Sequence, residues 1–217
     1  MFAALSLALA FASGASALPN VLPTADSFLI ESLPTTGGSF SPDFKQYSGF
    51  MPLGDAAGTH LFFWFVESQR DPVNDPLLYW TNGGPGSSSV AYGFWTEHGP
   101  FRLADNGTTV ELYEYSWNKK ASVLYVEQPS GVGLSWSADQ AHHSTNDEQA
   151  SADNLLFLKA FFEVFPSFKA NEFYVTGESY GGHYVPQLCS RILDDPVFER
   201  SINMKGFFIG AERNACF

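Results

Sequence analysis

Ser179 is the residue around which a reaction could be built. It lies in Gly177-Glu178-Ser179-Tyr180-Gly181, a Gly-x-Ser-x-Gly pattern between the apolar run 172–176 and a helix-forming stretch that continues to Ile192. A strand that turns sharply into a helix holds a serine hydroxyl above the sheet as a nucleophile, with the helix N-terminus beneath it. The flanking glycines are expected where a Cβ at either position would clash with neighbouring backbone. The pattern alone also describes ordinary turns, and it is the strand before and the helix after that favour a nucleophile.

Attack by a hydroxyl on an acyl carbon needs backbone N–H donors for the developing oxyanion. A second glycine loop, Asn82-Gly83-Gly84-Pro85-Gly86, follows the strand 76–81 and exposes bare backbone for that purpose. The donors are assigned to the N–H groups of Gly84 and of Tyr180, the residue after the nucleophile. A purely structural turn is the alternative. No Gly-Lys-Ser or Gly-Lys-Thr follows, so the loop is not a phosphate loop. Two cysteines, Cys189 and Cys216, and five scattered histidines form no zinc spacing, and the adjacent His142 and His143 read as a solvated loop feature. No metal or cofactor is expected.

These residues need a sheet to position them. The segments 44–52 and 60–67 read as a hairpin joined by Gly54-Asp55-Ala56-Ala57-Gly58, and 76–81 and 122–127 as buried strands. Thr145 opens a helix as a capping box with Glu148, with Leu155, Leu156, Leu158, Phe161, Phe162 and Phe165 on its apolar side until Pro166. Strands 172–176 and 202–209 enclose the helix after Ser179. An antiparallel start followed by alternating strands and helices predicts an α/β chain with a mixed sheet and helices on both faces. No internal repeat or linker divides it.

Composition bounds the remaining choices. Of 217 residues 16% are aromatic, including 21 Phe, which fits a packed core and excludes disorder. Eleven Lys and Arg against 23 Asp and Glu give a net charge of −12, which argues against nucleic acid as a partner. Residues 1–17 form an apolar run ending Ala15-Ser16-Ala17, a secretory signal peptide too short to span a bilayer, leaving 18–217 as one partial domain. An uncleaved anchor or buried N-terminal helix is the alternative. No later segment suits a membrane span. Asn106-Gly107-Thr108 is a glycosylation sequon on the same route, and whether Cys189 pairs with Cys216 is open.

Four segments together resemble the serine carboxypeptidases: 80–89 (Trp-Thr-Asn-Gly-Gly-Pro-Gly-Ser-Ser-Ser), 115–119 (Tyr-Ser-Trp-Asn-Lys), 128–135 (Gln-Pro-Ser-Gly-Val-Gly-Leu-Ser) and 177–186 (Gly-Glu-Ser-Tyr-Gly-Gly-His-Tyr-Val-Pro). The resemblance spans roughly residues 28–210 and corresponds to the front half of that family's α/β-hydrolase domain. It implies release of single residues from peptide C-termini by a Ser-Asp-His mechanism in an acidic extracellular, vacuolar or lysosomal setting on the secretory pathway. It further implies that Asn82, Gly83 and Glu178 bind the substrate's terminal carboxylate, with Glu97 as the partner of Glu178. Two close carboxyls do not easily both ionise, so one pKa of the pair is expected to rise. Glu97 as a solvated loop carboxylate is the alternative.

Three departures from the family pattern shape the expectation. Ser87 stands where a cysteine is common, leaving Cys189 without its usual explanation. In the α/β-hydrolases an Asp or Glu and then a His follow the nucleophile, yet the only later histidine is His183, four residues along the same helix, and Asp194 and Asp195 have no histidine after them. The ending 211–217 leaves the pattern. These features predict a hydrolase domain incomplete at its C-terminal end, cut before the triad Asp and His and exposing a sheet edge open to association. Such a chain would be a carboxypeptidase by design, with two alternatives: a non-catalytic product that binds peptide C-termini or a partner chain, or an acyltransferase of the same family.

Overall fold

The computed structural model describes residues 21–35, 38–104, 107 and 109–211. The expected signal peptide, the Asn106 sequon and Cys216 lie outside the described residues.

Among the described residues, eleven strands and three α-helices follow in chain order. The N-terminal part holds β1 (Leu33–Thr35), β2 (Gly38–Phe40), β3 (Gln46–Pro52), β4 (Thr59–Val66) and β5 (Leu77–Thr81). After a π-helical segment, Val90–Glu97, come β6 (Phe101–Leu103), β7 (Val110–Leu112), β8 (Ser122–Val126) and β9 (Trp136–Ser137). Helix α1 (Asp147–Val164), β10 (Phe173–Glu178), α2 (Gly181–Leu193), α3 (Pro196–Glu199) and β11 (Met204–Gly210) complete the chain. The main sheet has the order β11-β10-β5-β8-β4-β3, with β9 paired to β4. Strands β11, β10, β5 and β8 are parallel and β4 and β3 antiparallel, which is the mixed α/β sheet that the sequence predicts.

Alternation along the strands sorts side chains to the two faces. Phe63 and Phe65 of β4, Leu77 and Tyr79 of β5, Leu124 and Val126 of β8 and Val175 of β10 join a core with Phe157, Phe161 and Phe162 of α1 and Val185 and Leu188 of α2. The opposite residues Val66, Leu78, Trp80, Val123 and Tyr125 pack with Phe94 and Phe101. The regular helices α1 and α2 therefore cover one face, while the π-helical segment and the β6–β7 hairpin cover the other. Phe161 lies edge-on to Phe65 at 5.2 Å between ring centroids, an offset geometry favoured by the ring quadrupoles. Each such fully buried phenylalanine contributes about 1.5–3 kcal/mol.

Helix α1 starts one residue later than its capping box predicts. Asn146, not Thr145, is the N-cap; its side chain accepts from Gln149 N at 2.9 Å, while the Gln149 side chain donates to Asp153 rather than back to the cap. The inward stripe also differs: Phe157 is buried, whereas Leu155 and Leu156 are only partly so. Strand β11 is the outermost parallel strand, and its Phe207 and Phe208 are 53% and 42% exposed. No described helix is long and apolar enough to cross a membrane.

Candidate active site

Strand β10 ends at Glu178 and α2 begins at Gly181, so Ser179 occupies the turn between them. Its φ is +54°, a left-handed backbone that is costly for a residue with a Cβ. The turn is held on the sheet side by Ser179 N–H, which donates to Gly210 O at 2.9 Å at the end of β11. Gly177 is required by close packing: a Cβ there would lie 2.7 Å from Thr81 O. The same expectation fails at Gly181, where a Cβ would meet Thr81 O at 3.6 Å, an ordinary contact. Gly181 already starts the helix, which carries it away from the β5 backbone.

The 82–86 loop approaches this turn from the end of β5. A Cβ on Gly83 would lie 2.3 Å from Tyr180 N and 2.8 Å from Glu178 O, so bare backbone is what lets the loop reach the elbow. Gly84 has φ of +106°. Neither the Gly84 nor the Tyr180 N–H donates to an acceptor among the described residues. The loop is fixed from behind by residues that sequence reasoning did not single out. Asn82 N donates to Ser89 Oγ at 3.1 Å, and Ser88 Oγ and Ser89 N donate to the two oxygens of Glu127 at 2.6 and 3.0 Å. Burial pushes the Glu127 carboxyl up, against the lowering effect of these donors. The visible signal was a carboxylate placed directly after the run Val-Leu-Tyr-Val at 123–126. A second network, Tyr79–Asn154–Gln128–Thr81, ties α1 to the same strand end through bonds of 2.5, 3.0 and 2.7 Å.

Asn82, Glu97 and Glu178 meet although 96 positions separate the outer two. The Asn82 side chain is buried, and its Nδ2 donates to Glu97 Oε1 at 3.0 Å and to Glu178 Oε1 at 2.9 Å. Its Oδ1 accepts from Trp80 Nε1 at 2.7 Å and Gly93 N at 3.1 Å, which fixes the amide orientation. Both amide hydrogens are thus engaged by the two carboxyls. Burial, and then the neighbouring Glu178, raise the Glu97 carboxyl above its ordinary value, against the Asn82 hydrogen bond and Arg102. Glu97 is therefore not a solvated loop carboxylate.

The histidines fall elsewhere. His183 stacks on Tyr180 at 4.4 Å between centroids, and its Nδ1 lies 4.0 Å from the Asp147 carboxylate. Asp147 accepts from Tyr180 Oη at 3.2 Å, so it anchors the residue after the nucleophile. His98 is buried between Trp80 and Trp117, with its Nδ1 3.1 Å from Tyr125 Oη, and burial pushes its pKa down to about 3. His142 departs from the solvated pair expected, since its Nε2 is 2.9 Å from the buried Asp153, whereas His143 is exposed as expected and its Nε2 accepts from Ser137 N at 3.1 Å. The 3₁₀ turn Gln140–His143 lies against α1 through His142. Cys189 is buried within the core with no disulfide partner among the described residues, and burial raises its thiol to about 12.

Two depressions flank the elbow. One of about 700 Å³ is lined by Gly86, Val132, Asp147, Tyr180 and Tyr184, the other of about 470 Å³ by Trp80, Glu97, Trp117, Glu178 and Phe208. Glu178 belongs to one and Tyr180 to the other, so Ser179 stands between them.

The profile of the family described as serine carboxypeptidase matches residues 34–214. The chain is 44% identical to the lysosomal protective protein of Mus musculus, over 95% of this chain and 40% of the relative. It is 45% identical to serine carboxypeptidase-like 27 of Arabidopsis thaliana, over 83% of this chain and 40% of the relative. Its structure is similar to that of KEX1(DELTA)P, a prohormone-processing carboxypeptidase from Saccharomyces cerevisiae, with a TM-score of 0.74 and 26% identity over 89% of this chain and 45% of that one. The chain thus spans about 40% of the length of these curated relatives. The profile match, the relatives and the shared α/β-hydrolase fold place this chain in the serine carboxypeptidase family.

Proposed function

We propose that the chain carries the nucleophile, the oxyanion donors and the carboxylate clamp of a serine-type carboxypeptidase acting at acidic pH on the secretory or lysosomal route. The observation that carries this reading is the Asn82 amide shared by Glu97 and Glu178 one residue from the left-handed Ser179. An ordinary esterase has no use for two carboxyls there. A peptide's terminal carboxylate would be repelled by ionised Glu178, and it would accept O–H from a protonated one and N–H from Gly83. Burial and the neighbouring Glu178 raise the Glu97 carboxyl, so the pair takes up a proton at a higher pH than a free carboxyl does and capture of the peptide end strengthens as the pH falls. With the end fixed, the last peptide carbonyl reaches Ser179 Oγ, and the N–H groups of Gly84 and Tyr180 receive the oxyanion.

Turnover also needs a general base to take the Ser179 proton and an acid to orient it. His183 stacks on Tyr180 with its Nδ1 4.0 Å from Asp147, and no described residue hydrogen-bonds the Ser179 hydroxyl as a base. That favours the second reading, a peptide-end binder. Purified chain assayed on a blocked dipeptide at mildly acidic pH beside Ser179→Ala separates the two. A rate lost in the variant establishes the peptidase. Equal rates with retained binding establish the binder, and no preference for a free over an amidated C-terminus refutes the clamp.

A further inference from the structure

Asp55, His142 and Asp153 converge from three elements that the peptidase reading does not use. Asp55 lies in the turn between β3 and β4, His142 in the 3₁₀ turn Gln140–His143, and Asp153 near the middle of α1. His142 Nε2 is 2.9 Å from Asp153 Oδ2 and 3.9 Å from Asp55 Oδ2, and the three donor atoms lie within 4.8 Å of one another. The two carboxylates are already oriented. Asp55 accepts from Thr59 N at 2.7 Å and Thr59 Oγ1 at 2.6 Å, and the second oxygen of Asp153 accepts from Gln149 Nε2 at 2.8 Å. Such outer hydrogen bonds are what aim ligands in metal sites.

The charge of the cluster points to a cation. The side chain of Asp153 is 2% exposed, that of Asp55 12% and that of His142 14%. Neither carboxylate is paired with a lysine or arginine among the described residues. Two acids brought together out of water need positive charge beside them, which a cation shared with the His142 imidazole would supply.

We propose that Asp55, His142 and Asp153 form a binding site for a divalent transition metal of the zinc class, with water completing the coordination. One imidazole and two carboxylates suit zinc, whereas calcium and magnesium favour oxygen ligands alone. Metal–ligand bonds of about 2.0–2.2 Å in a tetrahedron set the donors roughly 3.3 Å apart. The separations of 2.9 and 3.9 Å bracket that value, so rotations of side chains are enough to admit the ion. The ion would bind the β3–β4 turn and the 137–143 loop to α1, whose first residue, Asp147, holds Tyr180. Its role is therefore a brace behind the candidate active site.

The test is calorimetric titration of chelator-stripped chain with zinc chloride near neutral pH, with circular dichroism to verify folding. One zinc ion per chain is expected, weakened by an order of magnitude or more in His142→Ala and in Asp55→Asn. Asp55→Asn keeps an amide oxygen for Thr59 and so isolates the charge. His143→Ala should bind as the unaltered chain does. Zinc should raise the unfolding temperature of the unaltered chain and leave that of folded His142→Ala unchanged. Absence of saturable one-to-one binding, equal affinity in Asp55→Asn, or tighter binding of calcium than of zinc would overturn the proposal.

Discussion

Gly83→Ala isolates the fit between the glycine loop and the nucleophile turn. The added Cβ would lie 2.3 Å from Tyr180 N, 2.8 Å from Glu178 O and 2.9 Å from Tyr180 Cα. All three are backbone atoms, so no side chain can swing aside, and restoring ordinary contact requires the two segments to part by roughly 1 Å. Overpacking of this kind costs about 1–3 kcal/mol, and a backbone clash belongs at the upper end. In urea unfolding of the purified chain, the midpoint should fall by about 1 M, given a slope of ~2–3 kcal/mol per molar for a domain of this size. Gly181→Ala is the matched comparison, because its Cβ meets Thr81 O at an ordinary 3.6 Å and the residue is already helical. There the midpoint should hold or rise, by at most about 1 kcal/mol of helix propensity. The 1 Å displacement would also move the Tyr180 N–H, and loss of an oxyanion donor lowers the rate of an acyl-transfer step by about 10²–10³. Equal midpoints for the two variants would refute the claim that bare backbone at position 83 is needed.

Three further outcomes follow from the same geometry. Burial and Glu178 raise the Glu97 carboxyl in the folded chain, so its stabilising state is the protonated one, complete below the ordinary value of 4.5 and lost as pH rises through the folded value. Glu97→Gln should therefore match the unaltered chain near pH 4 and exceed it in stability increasingly toward pH 7; a difference that does not change with pH contradicts this. Ser179→Gly relieves the left-handed backbone at φ +54° and should leave stability unchanged or raise it by up to about 1 kcal/mol while removing any labelling by a serine-directed phosphonate. A clear loss of stability would show that the elbow is not strained. Phe161→Ala empties a fully buried site against Phe65, Phe162 and Phe165 and should lower unfolding free energy by about 3–5 kcal/mol. A loss under about 1 kcal/mol would mean that α1 does not anchor the core.

Local pattern made much of this chain legible. The buried runs of β5 and β8 and the strand–turn–helix around Ser179 repeat the short-range preferences of their residues, and tertiary contacts did not override them. The strand ends were less legible, because pairing decides them: β10 runs on to Glu178 since β11 continues beside it as far as Gly210. The cap of α1 falls on Asn146, whose side chain accepts from Gln149 N, and not on Thr145 beside it, because adjacent residues that both suit a cap are not told apart by type alone. At the candidate site, the Gly-x-Ser-x-Gly pattern and the glycine loop stand out in sequence because close backbone approach restricts residue type. Glu127 behind the loop does not, since any carboxylate reads as soluble surface until its burial is known.

By itself, the sequence determined which residues could react: a serine in a turn that favours glycine, a loop of bare backbone, and enough aromatic mass for a core. Only the tertiary structure decided what those residues meet. It placed one amide between two carboxyls from distant segments, turned His183 toward Asp147 and set the half-buried His142 between Asp55 and Asp153. The physical reason is range. Backbone preference acts over a few residues and is written locally, whereas burial and charge pairing depend on neighbours that the chain assembles only by folding.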